Sequence, residues 1–291
     1  MEKTGEIKKI MRCMLMPELP EVETVVKGLR PLIKDKIITA VEIREKNMIA
    51  YPEDDIEAFK DSLLGSKIEA INRRGKYIII ELNTKKNMVI HLRMTGKLLV
   101  KEVKEFRDKH THVIFSLNDG QEIRFNNIRK FGRVYLIDKN HPEQAGGLAD
   151  LGPEPLSENL SLEDFKKLFA NRRALMKSLL LNQHFIAGIG NIYADEILFR
   201  AGVRPDRTAD TLSETEKEKI YYKMREILQK GIIYGGTSFS DYVNAFGEKG
   251  SFQEELRVHQ REGEKCFECG SVIKKIKISG RSTYFCPQCQ K

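Results

Sequence analysis

Four cysteines near the end of the chain have the residue type and spacing of a metal site. Cys266 and Cys269 form one Cys-x-x-Cys pair, Cys286 and Cys289 form another, and sixteen residues separate the pairs. Two pairs at this separation can close one tetrahedral zinc site, although a redox pair or unrelated buried thiols are alternatives. Because four thiolates leave no open position for water, we predict one structural Zn²⁺ ion.

The segment between these pairs is basic and offers a second kind of chemistry. Arg281 follows a flexible Ser279-Gly280 turn, from which a guanidinium can reach phosphates or a DNA groove. The alternative is that these cations only offset the thiolates. The whole chain of 291 residues has 50 Lys and Arg against 42 Asp and Glu, a formal charge of +8, which favours an anionic partner.

Two kinds of secondary structure must position these groups. Residues 20–33 place apolar side chains at helical spacing, and residues 37–137 contain many short β-rich runs separated by turn signals such as Asn118-Asp119-Gly120. A further helix is predicted at about residues 53–64. Short strands without alternating long helices predict a β-sandwich.

The chain beyond the strands has a different pattern. Ser161 can cap a helix with Asp164, and further helices are predicted at about 174–181, 191–200 and 213–233. We therefore predict an α+β multidomain protein, with a domain at 17–139, a linker at 140–157 rich in Pro and Gly, a helical domain at 158–247 and a zinc module at 248–291. Residues 1–16 form an extension that we expect to be absent from the functional protein.

The apolar content excludes an ordinary membrane helix. No run approaches the roughly eighteen apolar residues that one needs, and the first sixteen residues carry cations without a convincing apolar core. We expect a cytoplasmic, nucleoid-associated monomer with no obligatory protein partner. Four cysteines in two close pairs also favour metal ligation in a reducing compartment over a disulfide framework.

The segment MPELPEVET at residues 16–24 closely resembles the N-terminal signature of formamidopyrimidine-DNA glycosylases, the bacterial 8-oxoguanine glycosylases and AP lyases. Further motifs of that family follow in order: RRGKY (73–77), HLRMTG (91–96), KHTHV (109–113), IRKFG (128–132), LGPEPL (151–156), GIGNIYADE (188–196) and GGTSF (235–239). The resemblance implies an N-terminal β-sandwich, a helix-two-turn-helix domain and a C-terminal zinc-finger β-hairpin, with damaged duplex DNA in the cleft between the halves. It also implies excision of oxidised purines, 8-oxoguanine and formamidopyrimidines, followed by strand cleavage.

The family's nucleophile corresponds to Pro17. A free N-terminal proline is a secondary amine, and α-amines have pKa values near 8, so a useful fraction is neutral at pH 7. Attack on C1′ of the damaged nucleoside expels the base and gives an iminium ion, from which β- and δ-elimination proceed. Because Met16 acylates this nitrogen, we predict initiation at Met16 and removal of that residue.

The resemblance assigns further catalytic roles. Glu18 matches the proton donor, Glu21 is expected to support the site, Lys76 matches the lysine of β-elimination, and Arg281 matches the arginine of δ-elimination and phosphate contact. From composition alone, Lys76 would be a surface lysine at the start of a strand.

A flipped base leaves a gap in the duplex that side chains must fill. Met94, Arg129 and Phe131 match the inserted trio, with ordinary core packing as the alternative for Met94 and Phe131. DNA contacts are expected from His110, Arg129, Arg172, Lys177 and Asn191, and a loop over the oxidised base from Gly235, Gly236, Thr237 and Ser238, with its backbone amides as readers. The chain departs from the usual motifs at Arg93, Ile128 and Lys130, which bear only on the fine positioning of the trio.

Two competing functions remain open. An endonuclease VIII-like enzyme shares the fold and nucleophile but prefers oxidised pyrimidines, whereas PELPEVE, Met94 and Phe131 favour the purine branch. A DNA-binding protein without catalysis is the other alternative. It follows if translation starts at Met1, because Pro17 is then a tertiary amide that cannot form an iminium ion.

Overall fold

A computed structural model describes residues 16–53, 55–238 and 242–291; the rest of the predicted extension before Met16 lies outside these residues. Helix α1, Leu19–Ile33, confirms the predicted first helix and begins with Pro20 in its first turn, where a missing N–H does no harm. Its apolar stripe is buried on the sandwich, whereas Leu19 belongs to the helical core. The start of α1 therefore lies at the junction of the two halves.

Two mainly antiparallel sheets form the predicted β-sandwich. One has the strand order β2-β9-β5-β4-β3 and the other β1-β7-β8-β6, with β2 and β9 as the one parallel pair among the described strands. The strands are β1 Ile38–Ile43, β2 Ile49–Tyr51, β3 Ile68–Arg74, β4 Tyr77–Leu82, β5 Lys86–His91, β6 Gly96–Glu102, β7 Thr111–Leu117, β8 Gln121–Asn127 and β9 Arg133–Asp138. Helix α2, Ile56–Asp61, lies within the predicted 53–64 helix. The predicted turn at 118–120 joins β7 to β8, with Gly120 at φ +81°.

The segment 140–157 packs closely on the sandwich. Ala145 and Leu148 are buried in a cluster with Tyr77 and Tyr135, and the Tyr77 hydroxyl donates to the Gly146 carbonyl at 2.6 Å. Tertiary contacts therefore fix the conformation of this segment, although it has no regular periodicity. Its Pro and Gly content did not indicate these contacts.

The described residues of the second half contain four α-helices, at the predicted positions. They are α3 Leu162–Lys167, α4 Met176–Leu181, α5 Asn191–Ala201 and α6 Glu214–Ile233. Ser161 caps α3 as predicted, since its hydroxyl accepts from the Asp164 N–H at 3.1 Å. Phe252 and Leu256 also pack in this core, so the chain leaves the helical half later than the predicted boundary at residue 248.

The last described element is the hairpin of β10, Lys274–Ile278, and β11, Arg281–Phe285. Glu196 of α5 is fully buried and accepts the backbone N–H groups of Arg257, Val258 and His259, which fixes the approach to the hairpin. At the other end, the Gln290 side chain donates to the Val203 carbonyl at 2.8 Å. None of the helices in the described ranges has the length and apolarity that crossing a membrane requires.

Candidate active site and zinc hairpin

A pocket of about 530 Å³ lies where the start of α1, the β3–β4 turn, the start of α5 and the zinc hairpin meet. Side chains and backbone from all four elements line it. They include Met16, Glu18, Lys76, His91, Arg93, Gln183, Gly190, Asn191 and Arg281. The pocket thus brings together four of the predicted site residues that are far apart in the sequence, namely Glu18, Lys76, Asn191 and Arg281. Met16 also lines it, and Pro17, which lies between Met16 and Glu18, is buried.

Glu18 is held by the N-terminus of α5. Its carboxylate accepts from the N–H groups of Gly190 at 2.7 Å, Ile192 at 2.8 Å and Tyr193 at 3.3 Å, and the residue is 2% exposed. The first N–H groups of a helix have no partners within the helix and favour a negative charge. Gly190 permits this approach, because a Cβ there would lie 2.3 Å from the Glu18 Cδ.

Glu21 lies behind Glu18 and is equally buried, with 2% of its surface exposed. Its carboxylate accepts from the Glu18 N–H at 2.9 Å, the Tyr193 hydroxyl at 2.9 Å and the Thr237 N–H at 2.7 Å. Burial, together with the negative charge of Glu18, raises the pKa of Glu21 to about 7, although these hydrogen bonds oppose the change. Glu21 therefore supports the backbone on which the pocket is built.

Lys76 reaches across the junction, and its Nζ donates to the Ile189 carbonyl at 3.0 Å. Burial lowers the pKa of Lys76, while the charges of Glu18 and Glu21 act in the opposite direction. Asn191, the first residue of α5, donates from Nδ2 to the Ser282 carbonyl at 3.1 Å, which connects α5 to the strand that carries Arg281. Ser279 and Gly280, both at positive φ, form the turn before Arg281.

His91 and Arg93 line the same pocket and were missed as site residues. His91 is 6% exposed, and burial, aided by the charges of Arg93 and Lys76, lowers its pKa to about 3. Its neutral Nδ1 accepts from the Arg93 N–H at 3.0 Å. Both residues belong to the HLRMTG motif. The sequence therefore pointed to this segment, but a role in the site was predicted only for Met94.

The predicted wedge residues form one exposed cluster. The Arg129 Nη1 lies 3.3 Å from the Met94 sulfur, and the guanidinium carbon lies 4.8 Å from the centre of the Phe131 ring. Phe131 is 46% exposed and Met94 is partly buried, so neither belongs to the sandwich core. Gly132 allows the tight return of the chain, because a Cβ there would lie 2.4 Å from the Phe125 ring.

Three other predicted DNA-contacting residues lie in different surroundings. His110 is partly buried at the start of β7, and Arg172 is exposed, with its guanidinium carbon 5.9 Å from the centre of the Phe185 ring. Lys177 differs from the prediction, because it is fully buried and pairs with Asp195 at 2.6 Å. It also donates to the Asn191 carbonyl at 2.7 Å, so it supports α5 from inside and has no free surface for phosphate.

The backbone amides of the predicted lesion loop are already paired where the structure describes them. Gly235 and Gly236 donate to the carbonyls of Ile232 and Gly231 at the end of α6. Thr237 donates to Glu21, and Ser238 donates to the Gln253 side chain at 3.0 Å. In this conformation the four amides are engaged within the protein, and the reading of a base by this loop stays a prediction; Phe239 of the GGTSF motif lies outside the described residues.

The four hairpin cysteines fit a zinc ion. Their sulfurs all lie within 4.8 Å of one another, with Cys266 to Cys289 at 3.9 Å and Cys269 to Cys286 at 3.4 Å. A tetrahedron with Zn–S bonds of about 2.3 Å has edges of roughly 3.8 Å, and no disulfide joins these residues. The predicted set of ligands for one structural zinc ion is confirmed.

A β-sandwich, a helical half and a zinc hairpin meet at a pocket lined by the cations Lys76, Arg93 and Arg281 and by the carboxylate of Glu18. Such a cluster of cations between two domains suits a protein that binds an anionic polymer such as DNA. Three family models match the chain: the formamidopyrimidine-DNA glycosylase N-terminal domain over residues 16–134, the H2TH domain of the same enzyme over 151–243, and the zinc finger found in FPG and IleRS over 263–291. The chain belongs to the formamidopyrimidine-DNA glycosylase family.

Named relatives and solved structures agree over nearly the full length. The formamidopyrimidine-DNA glycosylases of Desulforamulus reducens and Heliobacterium modesticaldum are 43% and 46% identical to the chain, covering 95% of it and 99% and 100% of their own lengths. A mutant of Lactococcus lactis FPG solved with Fapy-dG-containing DNA is 37% identical, with a TM-score of 0.87, covering 94% of this chain and all of its own. The same enzyme solved with abasic-site DNA is 36% identical.

Proposed function

We propose that this chain is a bifunctional DNA glycosylase and AP lyase that removes oxidised purines from duplex DNA, with the amine of Pro17 as nucleophile. The observation that carries the proposal is that Met16 and Glu18, the residues on either side of Pro17, line one pocket with Lys76, Asn191 and Arg281. Lesions of the formamidopyrimidine class and abasic sites are the ligands of the structurally similar Lactococcus lactis enzyme.

The chemistry requires Pro17 to be the first residue. The amine forms a bond to C1′ while the glycosidic bond breaks, the base leaves with a proton, and the attacking nitrogen then loses its own proton. The C1′–O4′ bond of the sugar breaks next: O4′ takes up a proton, and the nitrogen lone pair forms the C=N bond of the iminium ion. Removal of a C2′ proton then expels the 3′ phosphate, and a second elimination expels the 5′ phosphate. We assign proton transfer at the sugar to Glu18, β-elimination to Lys76, and δ-elimination with phosphate contact to Arg281.

The remaining sites extend along the DNA. We propose that Met94, Arg129 and Phe131 fill the gap left by the flipped base, and that His110, Arg172 and Asn191 contact the duplex. The relatives from Desulforamulus reducens and Heliobacterium modesticaldum carry the name formamidopyrimidine-DNA glycosylase, which favours oxidised purines over an endonuclease VIII-like activity.

Borohydride trapping tests the nucleophile directly. Protein that begins at Pro17 should form a reduced covalent adduct with duplex DNA containing 8-oxoguanine opposite cytosine, whereas the chain that begins at Met1 should bind but not trap. If the Pro17 form binds this DNA and fails to trap, the catalytic assignment is wrong. Intact mass of protein from its native host should show Pro17 first; a mass that begins at Met1 or Glu2 would refute initiation at Met16 and support the blocked, non-catalytic form.

A further inference from the structure

The RRGKY and LGPEPL motifs meet in a buried cluster of charges that none of the assigned roles uses. The Glu154 Oε1 accepts from the Gly75 N–H at 2.5 Å and pairs with Arg74 at 3.1 Å, while its Oε2 pairs with Arg73 at 2.8 Å. One carboxylate therefore binds three successive residues of the β3–β4 turn. Lys76 is the next residue.

The same turn is held from two other directions. The Arg74 guanidinium donates to the carbonyls of Leu151 and Gly152 at 2.7 Å each, and Arg73 pairs with Glu23 of α1 at 2.9 Å. The Glu154 side chain is 19% exposed and that of Arg73 only 9%. Burial alone would raise the pKa of Glu154, but the charge of Arg73 and the hydrogen bonds from Arg73, Gly75 and Arg74 lower it, so this carboxylate is ionised at neutral pH.

Gly75 connects the residues held by Glu154 to Lys76 in the pocket. Gly75 has φ +55°, a left-handed conformation, and a Cβ there would lie 3.0 Å from the Leu151 side chain. The bond from the Gly75 N–H to Glu154 fixes this conformation from one side. Lys76, which follows directly, then reaches the Ile189 carbonyl at the opposite wall.

We propose that Glu154 is a positioning residue for Lys76: by fixing the Arg73-Arg74-Gly75 turn, it holds the lysine amine at the pocket for the elimination step. The inference rests on the proposed role of Lys76. Glu154 touches no reacting atom, and its effect passes through the backbone of the turn.

The test is a double-mutant cycle on DNA that carries a preformed abasic site, with protein that begins at Pro17. Glu154→Gln keeps the size of the side chain but loses the charge that pairs with Arg73 and Arg74. It should slow strand cleavage by about tenfold or more, because small displacements of a positioned group have effects of that order. Borohydride trapping, which reports attack by Pro17, should change by less than about threefold, and the KM for DNA should stay nearly constant.

The cycle shows whether Glu154 acts through Lys76. Lys76→Ala should itself slow cleavage, and adding Glu154→Gln to it should cause little further loss. If Glu154→Gln slows cleavage by the same factor in both backgrounds, or slows trapping as much as cleavage, the inference is overturned while the role of Lys76 stands. If Lys76→Ala leaves cleavage unchanged, the proposed role of Lys76 fails and the inference fails with it.

Two further variants separate positioning from general destabilisation. Arg74→Ala removes the other half of the same contact and should reproduce the loss of cleavage, which keeps the test valid if Glu154→Gln folds poorly. Glu226→Gln, which removes an exposed glutamate paired with Lys223, should leave cleavage unchanged. The pH at which cleavage is half-maximal should move upward in Glu154→Gln, because a displaced Lys76 regains water and its pKa rises towards the ordinary value.

Discussion

Glu18 and Glu21 are three residues apart, and their surroundings give them different properties. Glu18 faces the pocket and three N–H groups at the start of α5, whereas Glu21 faces inward and accepts from Tyr193 and Thr237. The sequence placed both in one motif but could not separate their environments, because burial depends on α5 and on the chain after α6. The same limit explains Lys177, whose partner Asp195 lies on another helix.

Glu21 should make stability depend on pH. Because its pKa is raised to about 7 in the folded state, the folded protein keeps a proton that the unfolded chain releases above about pH 4.5. This contribution to stability is therefore fully present below about pH 4.5 and is lost as the pH rises to about 7. Its full size is about 3 kcal/mol, the difference between the two pKa values at about 1.36 kcal/mol per unit. The difference in unfolding free energy between Glu21→Gln and the wild type, measured by urea unfolding, should therefore favour the variant more at pH 8 than at pH 5.

The comparison with the variant is needed because His91 acts in the opposite direction. Its pKa of about 3 means that stability falls as the pH drops from about 6.5 towards 3. This term is common to both proteins and cancels in the difference. Curves of unfolding free energy that stay parallel between pH 5 and pH 8 would show that Glu21 does not titrate in this range.

At the scale of elements, the local periodicity of the sequence was enough to predict the helices and strands. It could not predict which of these elements contact one another. The predicted helices at 20–33, 191–200 and 213–233 agree with α1, α5 and α6 to within about one residue. The segment 140–157 was predicted as a linker because it has no period, yet Glu154, Leu148 and Gly146 bind it to the sandwich. The conformation of an irregular segment depends on such contacts. They cannot be predicted from a periodic pattern in the sequence.

The start of α5 yields a prediction about Gly190. A Cβ at this position would lie 2.3 Å from the Glu18 Cδ, so Gly190→Ala must displace the carboxylate from the helix N-terminus. We expect a loss of about 1–3 kcal/mol in the free energy of unfolding, as in other overpacked sites, together with slower base excision. In a Glu18→Ala background the clash is absent and the loss of stability should shrink; an equal loss in both backgrounds would contradict this explanation.

At the scale of the whole molecule, one pocket depends on every part of the chain. Glu18 comes from α1, Lys76 from the sandwich, Asn191 from the helical half and Arg281 from the hairpin. The order of motifs along the sequence predicted this set of parts. Their meeting at one point depends on α1, whose first residue Leu19 packs in the helical core while later apolar residues such as Val22 and Val26 pack in the core of the sandwich.

Removal of zinc should therefore strongly slow catalysis without unfolding the rest of the protein. Four thiolates cannot stay close without the ion, so the hairpin should open and withdraw Arg281, together with Ser282 and its bond to Asn191. After chelation, we expect strand cleavage and affinity for abasic-site DNA to fall by at least about tenfold, whereas far-ultraviolet circular dichroism keeps most of its signal because both large cores lie outside the hairpin. Cys286→Ser should reproduce the loss, and added zinc should restore the chelated wild type but not this variant. Full cleavage activity in protein shown to be free of zinc would mean that the hairpin does not build the pocket.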